Sequence, residues 1–486
     1  MNTTSSAQAN AQNGMISIMD NAEMRPIHYK IWLLSSGGTI LDGFTIFTIG
    51  IVLPILASVF SIGASQTGLI AAAIVLGSVL GAISGGILAD RFGRKVIYIA
   101  DMAMICVSAL VTSIAPGPGI LLAFQFFVGV GIGMDFPVGA SYVSEFMPAK
   151  RRSRMLAGTI AFQAVGMILA SVIGILLLRI IDSDGAWRYM LGFTVILSFV
   201  IMLFRLTVPE SARWYMNKGL NVKAGEVIAR LVPGQSDEIR KLAKEAGDFS
   251  GEEAKNPQEE DSGESKAGYA VLFSAPYRRR TILTAGSWFF MDIATYGIGL
   301  FTPIILAGLA FSGRSGDLID KDILSARGSG IIDLFLLAGF ILGIWLIPKF
   351  GAMKMQITGF AGMAAGMVLL SFSGSLPDGS AGSIALIYAG FIIFNVLMNM
   401  GPNSTTFMLP AELYPTKLRA TGGGFAASFA KVGASIGIFF LPGIKDSLGV
   451  TAVLLMMAAC SLIGLAITFF FGIETKGKTL ESFDGK

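Results

Sequence analysis

The chain has 486 residues, of which 53% are apolar and only 14% charged, and its mean hydropathy is +0.69. A water-soluble chain of this length would carry roughly 25% charge spread over about three domains, so the soluble classes are excluded. The formal net charge of +4 is scattered over loops between apolar runs and makes no nucleic-acid patch.

Residues 1–24 are rich in Asn, Ser, Gln and Ala and lack the apolar stretch of a signal peptide; a disordered tail is expected. Apolar runs then recur near 31–60, 66–89, 96–115, 118–146, 155–180 and 187–208. Residues 209–280 form a polar linker, with helical periodicity over 221–246 and an acidic, aromatic-free stretch at 251–265 that is expected to be disordered. Further apolar runs follow near 281–310, 329–349, 353–374, 382–411, 420–443 and 449–472, before a polar tail at 476–486. Each run can cross a ~30 Å hydrocarbon core as a helix, and the period-2 alternation of barrel strands is missing. The expected fold is an all-α membrane protein of twelve transmembrane helices, spans one to twelve, in two halves of six at 25–208 and 281–475.

Basic residues cluster on one side of these spans: Arg25, Lys30, Arg91, Arg94, Lys95, Lys150 to Arg154, Lys349, Lys354, Lys417, Arg419, Lys476 and Lys478. The other side carries chiefly Arg188, Arg314, Lys321 and Arg327. The positive-inside rule puts both termini and the linker in the cytoplasm. Cys106 and Cys460 fall inside spans and read as packing residues, with no disulfide framework or metal cluster. The single histidine, His28, precedes the first span and reads as an ordinary flanking residue.

The halves repeat each other. Span four ends in Glu145-x-x-Pro148-x-x-x-Arg152 and span ten in Glu412-x-x-Pro415-x-x-x-Arg419, 267 residues later. Pro209-Glu210-Ser-Ala-Arg213 after span six corresponds to Glu474-Thr-Lys476-Gly-Lys478 after span twelve. The 2–3 loop, Gly86-Ile-Leu-Ala-Asp90-Arg91-Phe-Gly93-Arg94-Lys95, has a faded copy in Lys349-Phe-Gly351. Spans one and seven each carry an acid followed by a proline, Asp42 with Pro54 and Asp292 with Pro303. Such repeats around a midplane site are the architecture of a secondary transporter. Asp90, Arg94, Glu145, Arg152, Glu210, Arg213, Glu412 and Arg419 can pair across the halves when a gate is shut and part when it opens.

Ionisable residues at membrane depth are costly and mark function by default. They are Asp42, Asp135, Asp292, Asp333 and Lys431, with Gln125, Gln163, Asn399 and Asn403 as uncharged partners, while Asp101 and Arg179 are near enough to span ends to snorkel. Lys431 must find an anion, either a protein carboxylate, of which Asp292 is the obvious one, or a solute. An anionic solute would compete with Asp292, and protonating the aspartate would favour the solute, which is a route to proton symport. The alternative is a permanent structural ion pair.

GILADRFGRK at 86–95, VPESARW at 208–214 and IETKGKTLE at 473–481 resemble the major facilitator superfamily, near its sugar-porter branch. Ser287-Trp288-Phe-Phe-Met-Asp292-Ile-Ala-Thr-Tyr296, Gly401-Pro402-Asn403 through Glu412, Ser428-Phe-Ala-Lys431 and Gly133-Met-Asp135-Phe136-Pro137 are similar to blocks of the phosphate:proton symporters. The resemblance implies a major facilitator fold and an anion site lined by Lys431, Asn403, Gln163, Trp288, Tyr296 and the position of Phe136. It also makes Asp42, Asp135 and Asp292 the proton-coupling residues. Phe136 stands where those symporters have tyrosine, Thr45 where they have a second acid, and Gln125 where the superfamily often has arginine. Losing the hydroxyl at Phe136 suits a larger or less polar organic anion better than phosphate.

Gly472-x4-Gly477-Lys478-Thr479 spells a P-loop but follows a membrane helix, so ATP binding is not expected. The Gly77-x3-Gly81-x3-Gly85 run reads as helix packing within the bundle, and the 23 methionines as core filler. The expected function is proton-coupled symport of a small anion, phosphate or an organic acid or phosphoester, by rocking of one half against the other. The expected protein is a monomer in the cell membrane, with the solute, protons and lipid as partners and no cofactor beyond the proton gradient. A sugar or polyol porter is the alternative, a transporter-like nutrient sensor a minor one, and no nucleophile–base pair suggests an enzyme.

Overall fold

The computed structural model describes residues 2–181, 185–248, 269–296, 318–377 and 380–483. The end of span seven with Pro303, the acidic stretch 251–265 and Arg314 lie outside the described residues, as do the side chains of Lys321, Arg327 and Asp333. Among the described residues, ten helices are long and apolar enough to cross a membrane. They occupy spans one to six (Pro26–Val59, Ala64–Phe92, Arg94–Ser113, Pro118–Phe146, Ala149–Ile180 and Ala186–Arg205) and nine to twelve. Span seven begins with Arg278–Thr281 and is helical to 296, and span eight lies in Leu318–Phe350.

Local chemistry explains the breaks. Gly93 joins spans two and three alone at φ 107°, and Gly351 joins span eight to span nine (Ala352–Ser371) at φ 94°. These left-handed values favour residues without a Cβ. Span ten breaks at Gly401 into Ala381–Met400 and Pro402–Leu413, because Pro402 cannot donate back into the first segment. Spans eleven and twelve run together as Arg419–Phe471, broken at Gly449 with φ 84°.

The halves meet along two seams, span two on span eleven and span five on span eight. Backbones touch at the first seam: a Cβ on Gly424 would lie 2.3 Å from the Ala82 carbonyl oxygen, and one on Gly86 would lie 2.3 Å from that of Ala420. Gly77, Gly81 and Gly85 face the span-four backbone, so this run packs spans within one half.

Two sequence expectations need correction. Residues 2–20, expected as disordered tail, form a helix, Asn2–Asp20. Ala11, Met15 and Met19 are buried on one stripe of it, packed against the linker helices Asn221–Leu231 and Ser236–Ala246. His28 is not a plain flanking residue: it is fully buried and its Nδ1 accepts from the Arg25 N–H at 3.1 Å, part of a capping box that starts span one. The N-terminal helix, the linker helices and Phe483 near the other terminus all meet the end of the bundle that carries the 2–3 loop.

Candidate functional site

Lys431 on span eleven is 5% exposed and faces span seven. Its Nζ donates to the Tyr296 hydroxyl at 2.7 Å and lies 3.4 Å from Asp292 Oδ2. The ammonium also sits 4.6 Å from the Tyr296 ring centroid and 5.1 Å from that of Phe136, so a ring of the other half shares its charge. A single turn of π-helix, Ile282–Gly286, precedes Trp288 and Asp292 and resets the face on which they emerge. Phe136 packs edge-on against Trp288 and Phe407, with centroids 6.4 and 6.1 Å away. These three rings line a small cavity between the halves of about 10 Å³, room for one water, together with Pro137, Ser141 and Arg419.

The other expected site residues form neighbouring pairs. Gln163 Nε2 donates to Asp42 Oδ2 at 2.6 Å, and Asp42 is close enough for its charge to couple to Lys431. Asn403 donates to Asn399 Oδ1 at 2.7 Å across the Gly401 break of span ten. Asp135 belongs to another cluster, with its Oδ1 2.6 Å from Arg205 of span six. Asp101, expected to snorkel, is fully buried and lies 3.1 Å from the same guanidinium. Arg205, the last residue of span six, is fully buried and gives both acids a cationic partner inside the protein.

The residues expected to form a gate gather at the end of the bundle with the termini, and helix capping organises them. A helix start leaves N–H groups without intrahelical acceptors. Gly93, Gly351 and Leu418 precede spans three, nine and eleven and offer no side-chain cap. Carboxylates from elsewhere take these places. Glu210 accepts from the Arg94 and Lys95 N–H groups at 3.0 and 3.1 Å, and its repeat counterpart Glu474 accepts from Ala352 and Met353 at 3.0 and 3.3 Å. Glu474 belongs to the stretch whose neighbouring residues spell the P-loop, so that stretch has a structural task. Asp90 of span two accepts from the Thr421 N–H and hydroxyl, both at 2.8 Å, and so caps span eleven of the other half.

Charge pairs complete the closure. Glu145 Oε1 receives Arg94 at 3.1 Å from its own half and Arg419 at 3.0 Å from the other, all three side chains essentially fully buried. Arg94 reaches across to the Thr416 carbonyl at 2.9 Å, and Ser153 donates to Glu412 at 2.7 Å. Arg152 and Arg213 converge on Asp20 of the N-terminal helix at 2.6 and 2.8 Å. This end of the bundle is shut.

The family model described as sugar (and other) transporter matches residues 31–486. The chain belongs to this transporter family of the major facilitator superfamily. Among its relatives, the inner membrane metabolite transport protein YgcS of Escherichia coli (strain K12) is 26% identical over 462 residues, covering 95% of each chain. Inorganic phosphate transporter 1-1 of Arabidopsis thaliana is 26% identical over 536 residues, covering 98% of each. The solved structure of the proton:xylose symporter XylE bound to 6-bromo-6-deoxy-D-glucose, a transporter from E. coli, matches with a TM-score of 0.78 at 19% identity. That match covers 94% of this chain and 98% of XylE and identifies the fold. The protein is a multi-pass membrane transporter of small solutes.

The sequence reading missed Arg205, Asp20 and the partnership of Asp101. Arg205 stood at the end of span six, where a basic residue reads as a headgroup anchor. The signal that could have found it is the presence of acids in spans three and four that needed a cation.

Proposed function

We infer that this family member is a proton-coupled symporter of a small anion, which binds beside Lys431 between the halves. The observation that carries the reading is a buried lysine whose polar partners are one carboxylate and one phenol, with a ring of the opposite half over it. Asp42, Asp292 and Lys431 sum to a formal charge of −1. An anion entering that site would raise the charge to −2 at low dielectric, whereas protonating both acids first leaves +1 to meet it. Protons and anion therefore favour each other's binding, which is symport. The relatives that carry phosphate support this reading.

Phe136, Trp288 and Phe407 give the site an apolar wall, which favours an organic acid or phosphoester over bare phosphate. A sugar or polyol porter is the second reading, supported by the family description and by the amides of Gln163, Asn399 and Asn403. On either reading the shut end faces the cytoplasm, both termini lie there, and the monomer in the cell membrane rocks between two states. Thermal unfolding of the purified protein against a panel of phosphate, organic acids and sugars tests the anion reading. A stabilising anion raises the unfolding temperature of the wild type with rising concentration and does nothing to Lys431→Ala. Stabilisation by sugars alone, intact in Lys431→Ala, would favour the second reading.

A further inference from the structure

Behind the substrate site, in the N-terminal half, two acids share one cation. Arg205 Nη1 donates to Asp101 Oδ1 at 3.1 Å and to the Tyr98 carbonyl at 2.9 Å, and its Nη2 lies 2.6 Å from Asp135 Oδ1. Arg205 and Asp101 are fully buried and Asp135 is 5% exposed. The guanidinium carbon lies 3.4 Å from the Tyr98 ring centroid, so aromatic carbon seals one face. Tyr142 stacks behind Tyr98 with centroids 5.3 Å apart.

The groups facing the pair from each packed span are few. Span six supplies Arg205, span three supplies Asp101 and Tyr98, and span four supplies Asp135 and Tyr142. Span one supplies Ser35 beside Tyr98, and the more distant carboxylate Asp42. It closes over the cluster so tightly that a Cβ on Gly38 would lie 1.7 Å from Asp135 Oδ2. Arg205 is thus the one cation among these groups.

Two carboxylates and one guanidinium leave a formal charge of −1 in a site walled by rings and apolar helices. Isolated buried charge is expensive, and two acids that cannot both be compensated share a proton. The geometry meets that demand: Asp101 and Asp135 lie 3.1 and 2.6 Å from the two ends of one guanidinium, and Asp101 Oδ2 accepts no hydrogen bond among the described residues. A carboxyl–carboxyl hydrogen bond exists only when one partner is protonated.

We propose that Asp101 and Asp135 hold one shared proton over Arg205, forming a proton-binding site in the N-terminal half separate from the Lys431 site. The site is mechanically next to the substrate: Asp135 precedes Phe136, whose ring lies against Lys431 and Trp288. Gain or loss of the shared proton changes how tightly Arg205 holds Asp135, and so where span four presents Phe136. This link to transport rests on the proton-coupled reading above; the proton itself does not.

The test needs no substrate. Infrared difference spectra between acid and alkaline pH, recorded on the purified protein in lipid, report protonated carboxyl groups, and exchange into heavy water identifies them by a downshift. In the wild type a protonated carboxyl band is expected. Asp101→Asn and Asp135→Asn should each lose that same band, because the acid left behind is matched one-to-one by Arg205 and ionises. Arg205→Gln should instead gain a second protonated carboxyl, since neither acid then has a cation. Asp42→Asn should leave the band in place. A wild-type spectrum without such a band overturns the proposal with no variant required. So does a band that survives in both Asp101→Asn and Asp135→Asn. Loss of anion transport with the band intact would sink the symport reading and leave the shared proton standing.

Discussion

Removing Asp90 should open the shut end of the bundle. In this state Asp90 supplies the cap that Leu418 cannot give to span eleven, through two hydrogen bonds of 2.8 Å to Thr421 that cross between the halves. Both must break when the halves separate there, so their energy biases one state only. Hydrogen bonds to a charged group contribute about 1.5–3 kcal/mol each, so Asp90→Ala removes about 3 kcal/mol from the shut state at the low end. At 1.4 kcal/mol per tenfold, that shifts the equilibrium roughly 150-fold. Thr421→Val loses one of the two bonds, about 1.5 kcal/mol, for a shift of about twelvefold, while Asp90→Asn keeps an acceptor with neutral-strength bonds and loses about 1 kcal/mol, for about fivefold. Ser141 provides the reporter, since it is 1% exposed and lines the small cavity behind the gate. With Cys106 and Cys460 replaced by serine, Ser141→Cys is labelled by a membrane-impermeant maleimide applied at the gate side. The rate should rise in the order wild type, Asp90→Asn, Thr421→Val, Asp90→Ala. Equal rates in all four, or acceleration only from the opposite side, would refute capping as the gate's energy source.

Three further outcomes follow from the packing. Gly424→Val places carbon against the Ala82 carbonyl, and overpacking a backbone contact costs about 1–3 kcal/mol; faster Ser141→Cys labelling from the gate side should result. Asp20→Ala leaves Arg152 and Arg213 without the carboxylate they share; breaking a buried pair costs about 3–5 kcal/mol, so hydrogen exchange over residues 8–20 should accelerate and the unfolding temperature should fall. Asp292→Asn keeps a polar neighbour for Lys431 but removes a titrating one, and anion binding should become less dependent on pH, measured by thermal shift across a pH series.

How much could be read in advance depended on whether a residue's partner was implied by its type. A lysine eleven residues into span eleven has to be neutralised, and an acid in span seven was available, so the contact between Lys431 and Asp292 was legible. That the charged helix ends form one set was legible because the motifs repeat. Their pairing was not, since Glu210, Glu474 and Asp90 act on backbone N–H groups that no sequence pattern displays. The N-terminal helix was masked by its Asn, Ser and Gln content, although Ala11, Met15 and Met19 recur every four residues and form the stripe that packs on the linker. Arg205 was hidden by position: at the end of an apolar run, membrane anchors and buried partners look alike until the acids of neighbouring spans are placed.

The central claim is that an anion and protons cross together through the site at Lys431. Uptake of radiolabelled phosphate and organic acids into proteoliposomes, with and without an imposed inward proton gradient, tests it in wild type and Lys431→Ala. The account predicts anion uptake that needs the gradient and disappears in the variant. Gradient-driven uptake of a sugar by a wild type that moves none of the anions, with the variant still active, would contradict it.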